Sequence, residues 1–144
     1  HTSTETFDMD QVEPTVISVT FSSHPGWINR ADIGNGNFTV TVVYDEEMND
    51  LVAPTIDLEP FEQGSPILDD ALQFASGAWS SGSNTNDTYT ATYNVIDVAY
   101  ANESLGANID NAQDACGNTQ EDYNTDSEGD GTIDIDLVNP TVSF

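Results

Sequence analysis

Three observations predict an all-β chain. Short runs of Val, Thr, Ile and aromatic residues alternate with period two, the intervals between them are dense in Gly, Asn, Ser and Asp, and no segment of helical length sustains a 3.6-residue period. Seven or so such runs at this spacing read as an immunoglobulin-like antiparallel β-sandwich of about seven to nine strands. At 144 residues the chain is long enough for one domain with a real core and too short for two comfortable ones.

The elements follow in order. Thr15 to Phe21 is the first run. In Phe38-Thr39-Val40-Thr41-Val42-Val43-Tyr44 the residues Phe38, Val40, Val42 and Tyr44 share one face, as a strand half buried against a second sheet requires. Tyr89, Ala91, Tyr93 and Val95 repeat the device within Thr88 to Val95, and Thr132 to Asp136 is the last run. Pro54 to Leu58 and Gly106 to Ala112 are weaker strands, whereas Ile67 to Phe74 and Val98 to Leu105 are expected to hold a turn or two of helix. Gly34-Asn35-Gly36-Asn37, Ser80 to Asn84 and Gly117-Asn118 supply turns. Cys116 stands alone, so an internal disulfide is excluded and packing must hold the sheets, with Trp27 and Trp79 as candidate core pieces.

Charge narrows the partners. The chain has 26 acidic residues and one basic residue, Arg30, for a formal net charge of −25. Nothing can neutralise phosphates, which excludes nucleic acid and anionic membranes, and no stretch approaches the ~20 apolar residues that span a bilayer. Two carboxylates ~10 Å apart in water repel by about 0.4 kcal/mol, and dozens of such pairs rival the ~5–15 kcal/mol that stabilises a domain. Salt would screen this repulsion and bound divalent cations would reverse it locally. Either remedy points outside an ordinary cytoplasm.

The two ends repeat one another. Thr6 to Val16 aligns without gaps on Thr132 to Val142, with seven of eleven positions identical at an offset of 126 residues. That is the signature of a tandem array cut slightly longer than one period. Residues 1–13 are therefore read as the end of a preceding repeat or its linker, 14–138 as the sandwich, and 139–144 as the start of the next copy. The chain is expected to be a piece of a longer protein whose partners are neighbouring repeats, and to be a monomer as an isolated module.

Pro14-Thr15-Val16, then Phe38 to Tyr44 followed by Asp45-Glu46-Glu47-Met48, then Asp114-Ala115-Cys116-Gly117-Asn118, and finally Ile135-Asp136 before Pro140-Thr141-Val142, occur in an order that resembles the bacterial Ig-like repeats of large calcium-dependent, RTX-type cell-surface adhesins. The resemblance spans most of the chain except an insert-like region from about Glu59 to Asn86. It implies a secreted, non-catalytic extender at the cell surface, serving attachment and biofilm formation and stiffened by calcium between domains.

Two places could hold calcium. Asp126-Ser127-Glu128-Gly129-Asp130-Gly131-Thr132-Ile133-Asp134 reproduces the start of an EF-hand loop, with acids at positions 1, 3 and 5, Gly at 6 and the Thr132 carbonyl next. Leu137 then stands where a bidentate Glu is required, so Asp134 or Asp136 would have to complete the shell. The second place is the junction, where Asp8, Asp10 and Glu13 correspond to Asp134, Asp136 and Asn139. Hard oxygen ligands where two modules meet are what a stiffening cation needs. Asp45, Glu46 and Glu47 at the strand corner, or Asp97, could contribute to the junction site from the same end of the sandwich but are read first as solvated acids, as are Asp69-Asp70 and Asp110. Asp114 is read as a cap for its own turn.

Catalysis finds little support: His24 lies in a turn composition, and neither a nucleophile elbow nor a phosphate-binding loop is present. Although 26 acids offer carboxylate pairs of the kind glycoside hydrolysis uses, a compact sandwich seldom leaves the cleft it needs. Cys116 has no basic neighbour in sequence to lower its pKa. The alternative function is recognition of a glycan or peptide, with the interval from Pro60 to Asn86, containing Phe74 and Trp79, as its binding loop.

Overall fold

The structure, a computed structural model, describes residues 9–22, 26–60 and 68–144. Among these residues the strands are β1 (Val16–Ser22), β2 (Trp27–Asn29), β3 (Gly34–Tyr44), β4 (Thr55–Pro60), β5 (Leu72–Ser80), β6 (Thr88–Val95), β7 (Ala101–Asp110), β8 (Tyr123–Asn124) and β9 (Ile133–Asp136). They form two sheets, one ordered β1-β3-β6-β5 and the other β2-β9-β7-β4 with β8 paired to β7. Ladders are antiparallel except β2 on β9, which is parallel. The predicted immunoglobulin-like all-β sandwich is the fold.

Alternation builds the core. Phe38, Val40, Val42 and Tyr44 of β3 and Tyr89, Ala91, Tyr93 and Val95 of β6 all point inward, against Leu105, Ala107 and Ile109 of β7 and Ile133 and Ile135 of β9. Aromatic contacts run along the first sheet: Phe21 stacks on Phe38 at 6.3 Å, Trp79 meets Tyr89 at 5.0 Å, and Tyr44 meets Trp79 at 5.7 Å. Such pairs add about 0.5–1.5 kcal/mol each beyond the area they bury. In place of a disulfide, a buried polar bridge joins the sheets. The Tyr44 hydroxyl donates to Gln120 Oε1 at 2.8 Å, and Gln120 Nε2 donates to the Ile109 carbonyl of β7 at 3.0 Å.

The structure departs from expectation in four places, the first being Gly34 to Asn37, which form the irregular start of β3, with a register shift between Gly34 and Phe38, where a turn is expected. Within Ile67 to Phe74 the described residues do hold one helical turn, α1 (Leu68–Ala71), as expected, and it is short because Leu72 already begins β5. β5 itself replaces the expected binding loop: it pairs with β6 from Leu72 to Ser80, so Phe74 and Trp79 lie on an edge strand. The second expected helical stretch is instead the start of β7, where Ser104 at φ 70° and a register shift between Asn102 and Leu105 mark a bulge that interrupts alternation. Trp27 is 55% exposed and Trp79 only half-buried; Ile28 takes the core position on β2.

One glycine is required by close approach. At Gly77 on β5 an added Cβ would collide with the Tyr89 hydroxyl and sit 2.5 Å from Tyr89 Cζ. The ring is rigid and packed on Trp79, so it has little freedom to withdraw. Gly77→Ala is expected to lower stability by about 1–3 kcal/mol in denaturant unfolding. Ala78→Ser, at the exposed neighbouring position, should change it by less than about 0.5 kcal/mol.

Candidate metal centre

Three separate segments meet at one end of the sandwich. The first is the connector before β1, held to the sandwich by Asp45, whose carboxylate accepts from Thr15 N at 2.9 Å and Thr15 Oγ1 at 2.7 Å. The second is the corner after β3, where Tyr44 and Met48 are buried and Glu46 between them is half-buried. The third is the turn after β7, stitched to that corner by Ala115 N donating to the Glu47 carbonyl at 3.0 Å and Asn49 N donating to the Gln113 carbonyl at 2.8 Å.

Asp114 organises this turn. It is 1% exposed, and its carboxylate accepts from Cys116 N and Asn118 N at 2.8 Å each and from Asn118 Nδ2 at 2.6 Å. The same Asn118 amide donates to the Asp10 carbonyl at 3.2 Å, which draws the connector onto the turn. One carboxylate oxygen each from Asp10, Glu46 and Asp114 then lies within 4.8 Å of the others.

Their proton affinities differ for physical reasons. Burial pushes the Glu46 carboxyl up, and the negative charges of Asp114, Asp10 and Asp45 push it further. Burial also pushes Asp114 up, but the hydrogen bonds from the Asn118 side chain and from the backbone of Asn118, Cys116 and Gly117 prevail and hold it below the usual range. Glu46 therefore resists ionisation, as expected of a half-buried carboxylate facing like charges.

The spacing fits one hard cation. Calcium binds oxygens at about 2.3–2.6 Å, so ligands on opposite sides of an ion stand roughly 4.6–5.2 Å apart, and oxygens within 4.8 Å of one another can share a shell. Three carboxylates fill only part of the six to eight positions calcium prefers; water or a neighbouring segment would supply the others.

Comparison with family models, with curated proteins and with solved structures gave no match. The site therefore rests on this chain's own geometry.

Of the sequence candidates, Asp10 joins the trio, Glu13 is exposed beside it, and Asp8 lies outside the described residues. The acids of 126–136 do not converge on one another among the described residues. Asp126 and Glu128 are exposed on a single helical turn, α2 (Thr125–Glu128), capped by Asn124. Asp130 instead bridges the sheets, accepting from Val19 N on β1 of the other sheet and from the hydroxyl of Tyr123 on β8 at 2.7 Å. Thr132 is half-buried, while Asp134 and Asp136 face solvent because Ile133, Ile135 and Leu137 take the core side of β9 and its exit. Asp134 accepts from Ser104 N at 3.1 Å and Asp136 from Val138 N at 3.0 Å. Asp97 pairs with Arg30 at 2.7 Å.

Sequence reading places Glu46 first among surface acids, with a contribution to the junction site as its alternative, and Asp114 in its turn. The turn-capping role of Asp114 is present, and the structure adds its proximity to Glu46 and Asp10, with one carboxylate oxygen of each within 4.8 Å of the others. Neutralising Asp126 and Glu128 together (Asp126→Asn, Glu128→Gln) should leave unfolding free energy in calcium-free buffer within about 0.5 kcal/mol of the parent. Asp130→Ala should cost about 1.5–3 kcal/mol, the magnitude for hydrogen bonds to a charged group.

Proposed function

We propose that this chain is one repeat of a large secreted bacterial adhesin, a non-catalytic extracellular spacer that calcium stiffens where one copy joins the next. The observation that carries the reading is the trio itself: Asp10 belongs to the connector, Glu46 and Asp114 to the body of the sandwich. A cation held by all three ties the connector to the module and limits bending at the joint.

The opposite end supports the same arrangement. Asp136, at the repeat position equivalent to Asp10, accepts from Val138 N at 3.0 Å just as Asp10 accepts from Val12 N at 3.0 Å. Both connectors thus begin with the same turn, and Asp136 is ready to serve the following copy as Asp10 serves this one. A cation bound only by the folded state adds about RT ln(1 + [Ca]/Kd), or ~2.7 kcal/mol at a hundred times Kd. Extracellular sites with Kd on the order of 10⁻⁴ to 10⁻³ M load outside cells and stay empty inside them.

A second reading, recognition of a glycan or peptide, rests on a cleft of about 540 Å³ between β4 and β5, lined among others by Ile56, Leu58, Phe74 and Tyr93. A spacer needs no such cleft, so saturable binding of a saccharide that Phe74→Ala abolishes would favour recognition.

Thermal melting in moderate salt tests the calcium reading. Millimolar calcium should raise the midpoint by several degrees over EGTA, since 1 kcal/mol shifts a domain of this size by roughly 2–4 °C. Asp10→Asn combined with Glu46→Gln should remove the difference, and equal midpoints in calcium and EGTA for the parent chain would sink the proposal.

A pH test follows from Glu46. Its raised pKa means the folded state holds this proton above the ordinary carboxylate range, so stability falls as pH rises from the unfolded pKa through the folded one. Calcium binds the ionised form, so at a pH between the unfolded and folded Glu46 pKa values its binding should release a proton. Calorimetry in buffers of different ionisation enthalpy measures this; Glu46→Gln should abolish the release.

A further inference from the structure

We infer that the outer face of the sheet β1-β3-β6-β5 is a contact surface for a second copy of this chain. None of the residues in β1, β3, β5 and β6 is charged, although the chain carries 26 acids. The strands of the other sheet carry Asp57, Glu59, Glu103, Asp110, Asp134 and Asp136. Acidic residues are poor strand formers in general, but that preference applies equally to both sheets. The asymmetry belongs to the face and not to the secondary structure.

What replaces charge there is hydroxyl. Across β3 and β6, Thr39 stands opposite Thr92 and Thr41 opposite Thr90, with the Thr41 and Thr90 hydroxyls 3.4 Å apart. β1 extends the second row with Thr20 opposite Thr41, and β5 closes it with Ala78 opposite Thr90. A hydroxyl both donates and accepts, so an array of hydroxyls complements its own copy, as a two-fold symmetric contact between identical faces requires. Rows of carboxylates could not do this.

Electrostatics selects the same face. Two molecules of net charge −25 repel through any acidic surface. Stacked through the uncharged sheets, their acidic sheets stand roughly 30 Å apart at ~10 Å per sheet-to-sheet layer, more than three times the ~8 Å screening length at physiological salt. Four strands ~4.8 Å apart and about seven residues long cover roughly 440 Å² per copy. That is below the ~800 Å² per partner of a stable interface, so single modules remain monomers when dilute and associate only at high concentration. In a tandem array, which rests on the spacer reading, many weak contacts would act together.

Sedimentation equilibrium of the whole chain tests the inference, from about 10 µM to about 2 mM at physiological salt, the range in which so small an interface should act. Reversible association near the upper end is expected, equally in calcium and in EGTA, so its failure leaves the calcium reading untouched. Thr20→Glu with Ala78→Glu, both at exposed positions, should weaken association at least tenfold, while Thr55→Glu on the other sheet should not. A chain that stays monomeric throughout, or one whose association the Thr20/Ala78 variant leaves unchanged, overturns it. Retention of a monomeric chain on a neutral polysaccharide matrix, lost in that variant, would likewise overturn it and assign the face to polysaccharide.

Discussion

Every carboxylate that leaves water in this chain has to be met by backbone amides or neutral side chains, because Arg30 is the sole basic residue among 26 acids. Asp87, 1% exposed, accepts from Gly82 N and Asn84 N at 2.7 Å each and from Thr88 Oγ1 at 2.9 Å. Burial pushes it up, but these bonds hold it ionised below the usual range. Asp114 repeats the solution in its own turn, and Asp130 does so between sheets. Acid in this molecule is therefore structural wherever it is buried. The loops that end at Asp87 and begin at Asp114 are each folded around a single carboxylate.

The same scarcity of cations shapes the two faces and the two ends. Where a sheet has no charge to display, hydroxyls fill its outer positions. Where acids gather without amides to spare, as at Glu46, ionisation is resisted and the local field favours a cation. The Tyr44–Gln120–Ile109 bridge keeps the two sheets in register beneath that site, since Tyr44 ends β3 only two residues before Glu46. Burial pushes the Tyr44 hydroxyl well above its ordinary pKa, which keeps it a donor throughout the physiological range.

Strands with one buried face were legible because period-two alternation is the direct imprint of burial, and β6 follows it throughout and β3 from Phe38 to Tyr44. β5 was not, because an edge strand with a bulge between Phe74 and Ser76 is exposed along most of its length and leaves no alternation to read. β2, at three residues, is too short to carry a pattern. The loop from Asp126 spelled an EF-hand in its first positions, yet Ile133, Ile135 and Leu137 supply more burial than the acids could gain by curling around an ion. Its second half therefore became a strand with Asp134 and Asp136 outside. The acidic trio escaped any spacing rule for another reason: its members come from a connector, a strand corner and a distant turn, and only the fold brings them together.

Arg30 sits on the short 3₁₀ turn Arg30–Asp32, its guanidinium on both carboxylate oxygens of Asp97 and on the Leu137 carbonyl at 3.0 Å. With no lysine in the sequence, the bond after this residue is the single place where a trypsin-like protease could recognise the chain, and recognition would require the side chain to leave those partners. The absence of lysine also leaves no side-chain amine for aldehydes or amine-directed cross-linkers. The composition that burdens folding with repulsion thus makes the polypeptide nearly invisible to a large class of digestive enzymes.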